Sequence, residues 1–351
     1  MTVSNLPQPA TQLESFYDLR ENKQERPASP CVFSRRSPPD IMKNNGYRYP
    51  DRVLKPDEGL PVAAFYALHY THSTQETWRQ RIHTGQVLLN GRPASPDDTL
   101  TRGDRLIYNR PPWKEPDIPR NFMTLFEDGN VLVLAKPSGL PVLPGGGFLE
   151  NTLLHLVRQR YDVGCSPLHR LGRATSGAIL FTRNAPTARF LRKAMDERRI
   201  RKVYLALASG TAMPDAFTVD APIGPVPYQR LKTIHAYCPH GRPSVSHVRV
   251  IRRLPHENAT LLEVTIPTGR PHQIRIHLSH AGFPLVGDPL YRSGGIPLDG
   301  SENGECAALP GDSGYFLHSW KIRFPHPESG RDVEVLCPPP PVLDIVPIAA
   351  I

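Results

Sequence analysis

The chain is 351 residues long, 39% hydrophobic and 21% charged, with a net charge of +9 at pH 7. That length accommodates two folded units, and no apolar run approaches the roughly 18 residues of a membrane-spanning helix. The five cysteines are odd in number, widely spaced and free of any C-x-x-C pair, which argues against a disulfide framework or structural zinc and for a reducing, cytoplasmic compartment.

Residues 1–49 are polar and broken by prolines, and read as an extended or disordered arm. Their start lacks the basic-then-apolar order of a signal peptide, and Glu14, Asp18 and Glu21 are out of place in a transit peptide. Residues 50–110 form a small α+β unit. Ser73 and Glu76 make a capping box for a helix in which Trp78 and Ile82 share a face, Gly85 ends that helix, and Asn90-Gly91 marks a hairpin. A linker follows at residues 111–120, stiffened by four prolines.

From residue 121 to 336 short strands alternate with helices. Residues 131–135, 178–182, 203–208, 245–251 and 262–266 read as strands, Thr152 caps one helix, a second spans 186–197, and Pro271 opens a third that Gly282 stops. An α+β domain on a mixed or antiparallel sheet follows. Residues 293–314 look like a glycine-rich surface loop, and 337–351 a proline-rich tail.

The charge is concentrated. Between residues 152 and 202 there are twelve Lys and Arg against three acids, an excess equal to the whole net charge. Either a solvated helical face or a phosphate-contacting surface produces such a run. In the second case its contact residues include Arg173, Arg189, Arg192 and Lys193.

Five segments in order carry the chemistry: EDGNVLVLAKPSGLPV (127–142), HRLGRATSGAILF (169–181), RKVYLALASG (201–210), GRPSVSHVRV (241–250) and TGRPHQIRIHLSHAGFPLVGDPLY (268–291). Together they resemble the RluA-type pseudouridine synthases over about residues 125–324. RQRIHTGQVLLNGR with RGDRLIY, in the small unit, resembles the RNA-binding module shared by a ribosomal small-subunit protein and tyrosyl-tRNA synthetases. The first resemblance implies the pseudouridine synthase fold and isomerisation of a uridine within rRNA or tRNA, which requires flipping the nucleotide out of its stack. It also implies roles: Arg170 fills or braces the vacated place, Tyr204 stacks on uracil, and Arg275 lies beside the catalytic carboxylate. The second resemblance implies RNA contacts from Arg79, Arg81 and Arg92.

One position departs from the family pattern. Where the family has an aspartate, His169-Arg170-Leu171 is followed by Gly172, and glycine can neither attack C1′ nor remove a sugar proton. Arg275 is thereby expected to lose its partner and to need another carboxylate, solvent or phosphate, or to turn outward. The rest of the signature is kept, including the 270–277 block and Gly287-Asp288. Two readings stand: an RNA pseudouridine synthase whose carboxylate comes from elsewhere, and a non-catalytic RNA-binding or RNA-remodelling protein of the same fold. No cofactor or metal is signalled. His169, His272 and His277 form no H-E-x-x-H pair, and His235, Cys238 and His240 lack a fourth ligand. RNA is the expected partner; neither a membrane nor a protein partner is.

Overall fold

The computed structural model describes residues 43–228, 231–298 and 308–343. Most of the expected arm, part of the glycine-rich loop and the end of the tail lie outside the described residues. The described chain forms two compact units, one reaching Pro116 and the other beginning at Asp117.

The first unit contains β1 (Tyr47–Arg52), α1 (Val62–His69), α2 (Gln75–His83), β2 (Val87–Leu89), β3 (Arg92–Pro93) and β4 (Arg105–Arg110). Its strands form an antiparallel sheet in the order β1-β4-β2-β3. Helix α1 is apolar on nearly every side, so it has no polar stripe for a sequence pattern to reveal. Helix α2 is capped one residue later than the capping box placed it. The Ser73 amide already bonds the Tyr70 carbonyl, and Thr74 Oγ1 accepts from the Thr77 amide at 3.2 Å. Asn90 and Gly91 both have positive φ, 50° and 87°, as a two-residue turn between β2 and β3 requires.

The second unit runs through β5 (Met123–Glu127), β6 (Val131–Lys136), α3 (Leu153–Arg160), β7 (Ser166–Pro167), β8 (Ser176–Thr182), α4 (Ala185–Asp196) and β9 (Arg201–Ser209). It continues through β10 (Ala216–Asp220), β11 (Ile223–Tyr228), β12 (Leu231–Tyr237), β13 (Val245–Leu254), β14 (Ala259–Thr265) and α5 (Gln273–His280). It closes with β15 (Tyr291–Ser293), β16 (Ile296–Pro297), β17 (Leu317–Pro325) and β18 (Asp332–Leu336). The main sheet has the order β10-β13-β14-β9-β17-β8-β6-β5 and is mixed, because β17 and β8 run parallel while its other neighbours are antiparallel. The fold is therefore α+β around one large mixed sheet.

Strand β6 shows why this sheet is central. Leu132 and Leu134 join a core with Leu153 and Val157 of α3 and Ile274 and Leu278 of α5. Val131 and Val133 point into a second core with Leu191 and Ala194 of α4. A strand buried on both faces reads as a continuous apolar run, which VLVLA is. Gly177 is the narrowest point: its φ is 110°, and a β-carbon there would strike the backbone of Ser319 where β8 meets β17.

At the end of β6 the buried ammonium of Lys136 ties two loops together. It donates to the carbonyls of Pro137 (2.8 Å), Leu140 (2.7 Å) and Arg173 (3.0 Å), while burial pushes its pKa down to about 7. Lys136→Met should leave the Pro137 and Leu140 carbonyls without their donor, while the Arg173 carbonyl keeps the Gly139 amide at 2.8 Å; at roughly 1–3 kcal/mol for each uncompensated acceptor, stability should fall by about 2–5 kcal/mol. Urea denaturation of the variant measures this directly. An unchanged midpoint would mean that the loop from residue 137 to 140 is held without the lysine.

Candidate active site

Two segments of the second unit build a cleft of about 530 Å³ from opposite sides. The 170–173 segment, held from below by Lys136, contributes Arg170, Gly172 and Arg173; the 269–272 segment contributes Arg270 and His272. His235 of β12 and the Pro310-Gly311 segment complete the wall.

Helix α5 owes its position to two buried polar side chains. Gln273 accepts from Thr268 Oγ1 (2.8 Å) and the Arg270 amide (3.0 Å) and donates to the Val245 carbonyl (2.8 Å). His277 bonds Ser246 Oγ (2.8 Å) and the Ala221 carbonyl (2.9 Å). The helix begins two residues later than Pro271 suggests, because His272 adopts the left-handed region at φ 56° as its N-cap. Backbone held in that region by a non-glycine residue is strained, and such strain gathers at functional sites. His272 Nδ1 lies 2.9 Å from Tyr291 Oη, and that hydroxyl donates its proton to the His235 carbonyl at 2.6 Å. Nδ1 must therefore carry the proton, which leaves Nε2 as an acceptor. Burial, with Arg275, His235 and Arg170 adding to it, pushes the His272 pKa down to about 3.

Arg275 has not lost its partner. Its Nε and Nη2 donate to Asp288 Oδ2 and Oδ1 at 2.7 and 2.8 Å, in a fork with side chains 2% and 1% exposed. Its Nη1 donates to the Pro310 carbonyl at 3.0 Å, and its guanidinium lies 4.2 Å from the ring centre of Tyr315. Asp288 also accepts from the Leu290 and Tyr291 amides. A carboxylate with four donors in a buried pair is not available to attack a sugar.

Gly172 does not have a positive φ, so its backbone is open to any residue. A β-carbon there would stand 3.0 Å from Tyr315 Oη and 3.2 Å from Thr175 Oγ1. Those two hydroxyls, themselves 3.2 Å apart, occupy the ground beside which a longer side chain would project. Among the described cleft residues there is no Asp or Glu; Asp312, which follows Gly311 of the lining, has its Oδ1 3.7 Å from Arg173 Nη2. The lining carries the cations Arg170, Arg173 and Arg270, of which Arg170 is exposed. Tyr204 is 6% exposed, packed in the core between the strands that pair with it at Val264 and Ser319, and is not among the cleft-lining residues.

Arg189, Arg192 and Lys193 line one groove along α4, beside Asp196, and all three are exposed. In the small unit Arg79 is paired with Asp97 at 2.7 Å and Arg92 with Asp98 at 3.1 Å, whereas Arg81 lies over the Trp78 ring at 4.5 Å. Asp288 as the partner of Arg275 could be read from the Gly287-Asp288 signature; Tyr315 gave no sequence signal.

A family model described as RNA pseudouridylate synthase matches residues 130–280. An uncharacterized RNA pseudouridine synthase of Synechocystis sp. is 40% identical over 80% of this chain and 94% of its own length. RNA pseudouridine synthase 5 of Arabidopsis thaliana is 35% identical over 86% of this chain and 94% of its own. Ribosomal large subunit pseudouridine synthase D of Xanthomonas campestris is 36% identical over 77% and 82%. Among solved structures, human RNA pseudouridylate synthase domain containing 1 superposes with a TM-score of 0.50 at 25% identity, covering 66% of this chain and 89% of that one.

The framework of the cleft should be acid-sensitive. Burial holds His169 and His272 near pKa 3 and His277 near 4, against an ordinary 6.5. As pH falls from 6.5 towards 4 the unfolded chain takes up protons that the folded chain refuses, so stability drops, by up to about 1.4 kcal/mol per pH unit for each histidine. Denaturation midpoints between pH 7 and 4 read the slope, and His277→Gln should make it shallower. A flat profile would show these imidazoles protonated in the folded protein. Separately, Asp288→Asn should cost about 3–5 kcal/mol by leaving the Arg275 charge buried, measurable as a fall in Tm.

Proposed function

Because the chain belongs to the RNA pseudouridine synthase family, we propose that its cleft receives a uridine flipped out of a structured RNA, ribosomal or transfer, and isomerises it to pseudouridine. The C1′–N1 bond breaks, the uracil turns within the cleft, and C5 bonds to C1′. The observation that carries this reading is the cleft itself: three arginines and a neutral, acceptor-bearing His272 gathered from the 169–173 and 268–277 segments, over a buried Arg275–Asp288 pair. A cleft lined by three arginines suits a nucleotide with its flanking phosphates. Arg170, exposed at the rim, braces the strand from which the base has left. Stacking on the uracil is the role that the family resemblance gives Tyr204.

The carboxylate of the reaction comes from Asp312, the acid that follows Gly311 of the lining, freed from Arg173 when RNA phosphate takes that arginine. The ribosomal RNA of the large subunit is the first substrate to test, because the Xanthomonas relative is named for that subunit. RNA contacts outside the cleft come from the α4 groove with Arg189, Arg192 and Lys193, and from the small unit acting as an RNA-binding module. Each phosphate neutralised there adds about 0.7–0.9 to the log-log salt slope.

A second reading, RNA binding without chemistry, is favoured by one observation: among the described residues, no acid stands on the cleft wall and Asp288 is fully engaged. Mapping pseudouridine in total RNA with and without the protein separates the two. Under the first reading the wild type modifies a defined site, and Asp312→Asn abolishes that activity while RNA affinity stays within about two-fold. Gly172→Asp in the same assay should lower activity, since a second carboxylate competes for the cleft cations. An inactive wild type that gains activity as Gly172→Asp would mean that the chain binds RNA with its chemistry removed.

A further inference from the structure

The small unit contains a cavity that the pseudouridine chemistry does not use. It encloses about 190 Å³ between α1, α2, β1 and β4. Its walls are aromatic: the Tyr66 and Trp78 rings stack at 4.6 Å, and those of Tyr49 and Tyr108 at 6.0 Å. Arg81 and Arg110 also line it. The guanidinium of Arg81 lies 4.5 Å from the Trp78 ring centre and 5.6 Å from that of Tyr108.

A cluster of this kind is ordinarily just a core, and two atoms argue otherwise. Tyr66 is 1% exposed, yet its hydroxyl has no hydrogen-bond partner among the described residues. Arg81 Nη1 is likewise buried and unpartnered. The neighbouring Tyr70 shows how a core phenol is usually satisfied, since its hydroxyl donates to both oxygens of Asp51 at 2.7 and 2.8 Å. Buried donors left unmet are costly, and here both line a cavity with room for an acceptor.

The same atoms define what fits. Two guanidiniums on the wall exclude a cationic ligand, although aromatic cages commonly hold one. Burial, then Arg81 and Arg110, lower the His72 pKa and so favour its neutral form. A purely apolar ligand would leave the two donors unmet. The volume is below the roughly 300 Å³ at which drug-sized sites begin, so the guest is about one ring system in size. A planar ring with carbonyl acceptors and a phosphate at its edge satisfies every wall.

We propose that this cavity is a binding site for one unpaired, carbonyl-bearing nucleobase, uracil or guanine, of a single-stranded stretch of RNA. The base lies against the aromatic faces, its carbonyl oxygens accept from Tyr66 Oη and Arg81 Nη1, and Arg110 meets the adjoining phosphate. Stacking on aromatic and guanidinium planes is how proteins hold unstacked bases. The proposal deepens the reading of the small unit as an RNA-binding module and rests on it; the cleft chemistry of the second unit is not involved.

The test uses the full chain and three probes: a short oligouridine, the same oligomer with abasic residues, and uridine monophosphate. Wild type should bind oligouridine at least about ten-fold more tightly than the abasic oligomer, the scale of one stacked base. Tyr66→Phe, which keeps the ring and removes only the unmet hydroxyl, should lose several-fold in oligouridine affinity while its Tm stays equal or rises. Arg81→Lys should reduce the preference for bases yet retain the salt slope, because it keeps the charge and loses the plane. Equal binding of base-bearing and abasic RNA, or a Tyr66→Phe protein with unchanged affinity, would make the cavity a mere core. Micromolar binding of uridine monophosphate with no gain from the longer oligomer would assign the site to a free nucleotide and overturn the RNA proposal. Isomerisation by the wild type on its target, read in a separate assay, tells a failure of this site from a failure of the enzyme assignment.

Discussion

The buried fork between Arg275 and Asp288 is the constraint on which the cleft depends. A guanidinium and a carboxylate, each almost wholly removed from water, are tolerated only when every donor and acceptor is met. Asp288 meets this by taking two bonds from the arginine and two from the backbone at residues 290 and 291. Arg275 meets it by spending its remaining nitrogen on the Pro310 carbonyl. One ion pair thus fixes α5, the turn after it and the segment that closes the far wall. Tyr291 extends the lock, linking His272 to the His235 carbonyl and so fixing the orientation of the His272 imidazole in the cleft wall.

That lock explains how glycine can stand at position 172. The chain does not leave a cation stranded there, since Asp288 supplies the charge, and it does not leave a hole, since the Tyr315 hydroxyl and Thr175 fill the space around the missing side chain. The ring of Tyr315 at the same time covers the face of Arg275. Charge balance and packing at this point are therefore met by the neighbouring Thr175 and by two residues far along the sequence, Asp288 and Tyr315. Restoring an aspartate is a matter of a small retreat by the Tyr315 and Thr175 hydroxyls, with no backbone obstacle.

Much of this architecture was legible before the structure. Strands β6 and β8 stand out because both faces are buried and their sequence is an unbroken apolar run; the Asn90-Gly91 turn and the Thr152 cap are local chemistry that needs no tertiary context. The failures have equally physical causes. Helix α1 has no polar face to mark its period. Strand β17 was hidden because His318 and Ser319 lie inside it, and a polar pair in a buried strand breaks the pattern even though His318 is satisfied by Ser176 Oγ and the Cys337 carbonyl. In the site, residues within one segment could be grouped from the sequence, as Arg270 to His277 were. Tyr315 could not, because only the folded chain carries its hydroxyl to Gly172.

The two units set similar groups in opposite circumstances. Arg275 lies near the rings of Tyr315 and Tyr291, and Arg81 near those of Trp78 and Tyr108. In the first case a carboxylate and a carbonyl take up the donors, so the cation is part of the framework and its field is spent locally. In the second a donor remains buried and unmet at the wall of an aromatic-lined cavity. Removing a guanidinium nitrogen from water without giving it a partner costs free energy in the folded protein. In a unit of only a few short elements an acceptor-bearing guest would recover that cost, which is why the proposed base site rests on the unsatisfied arginine and not on the satisfied one.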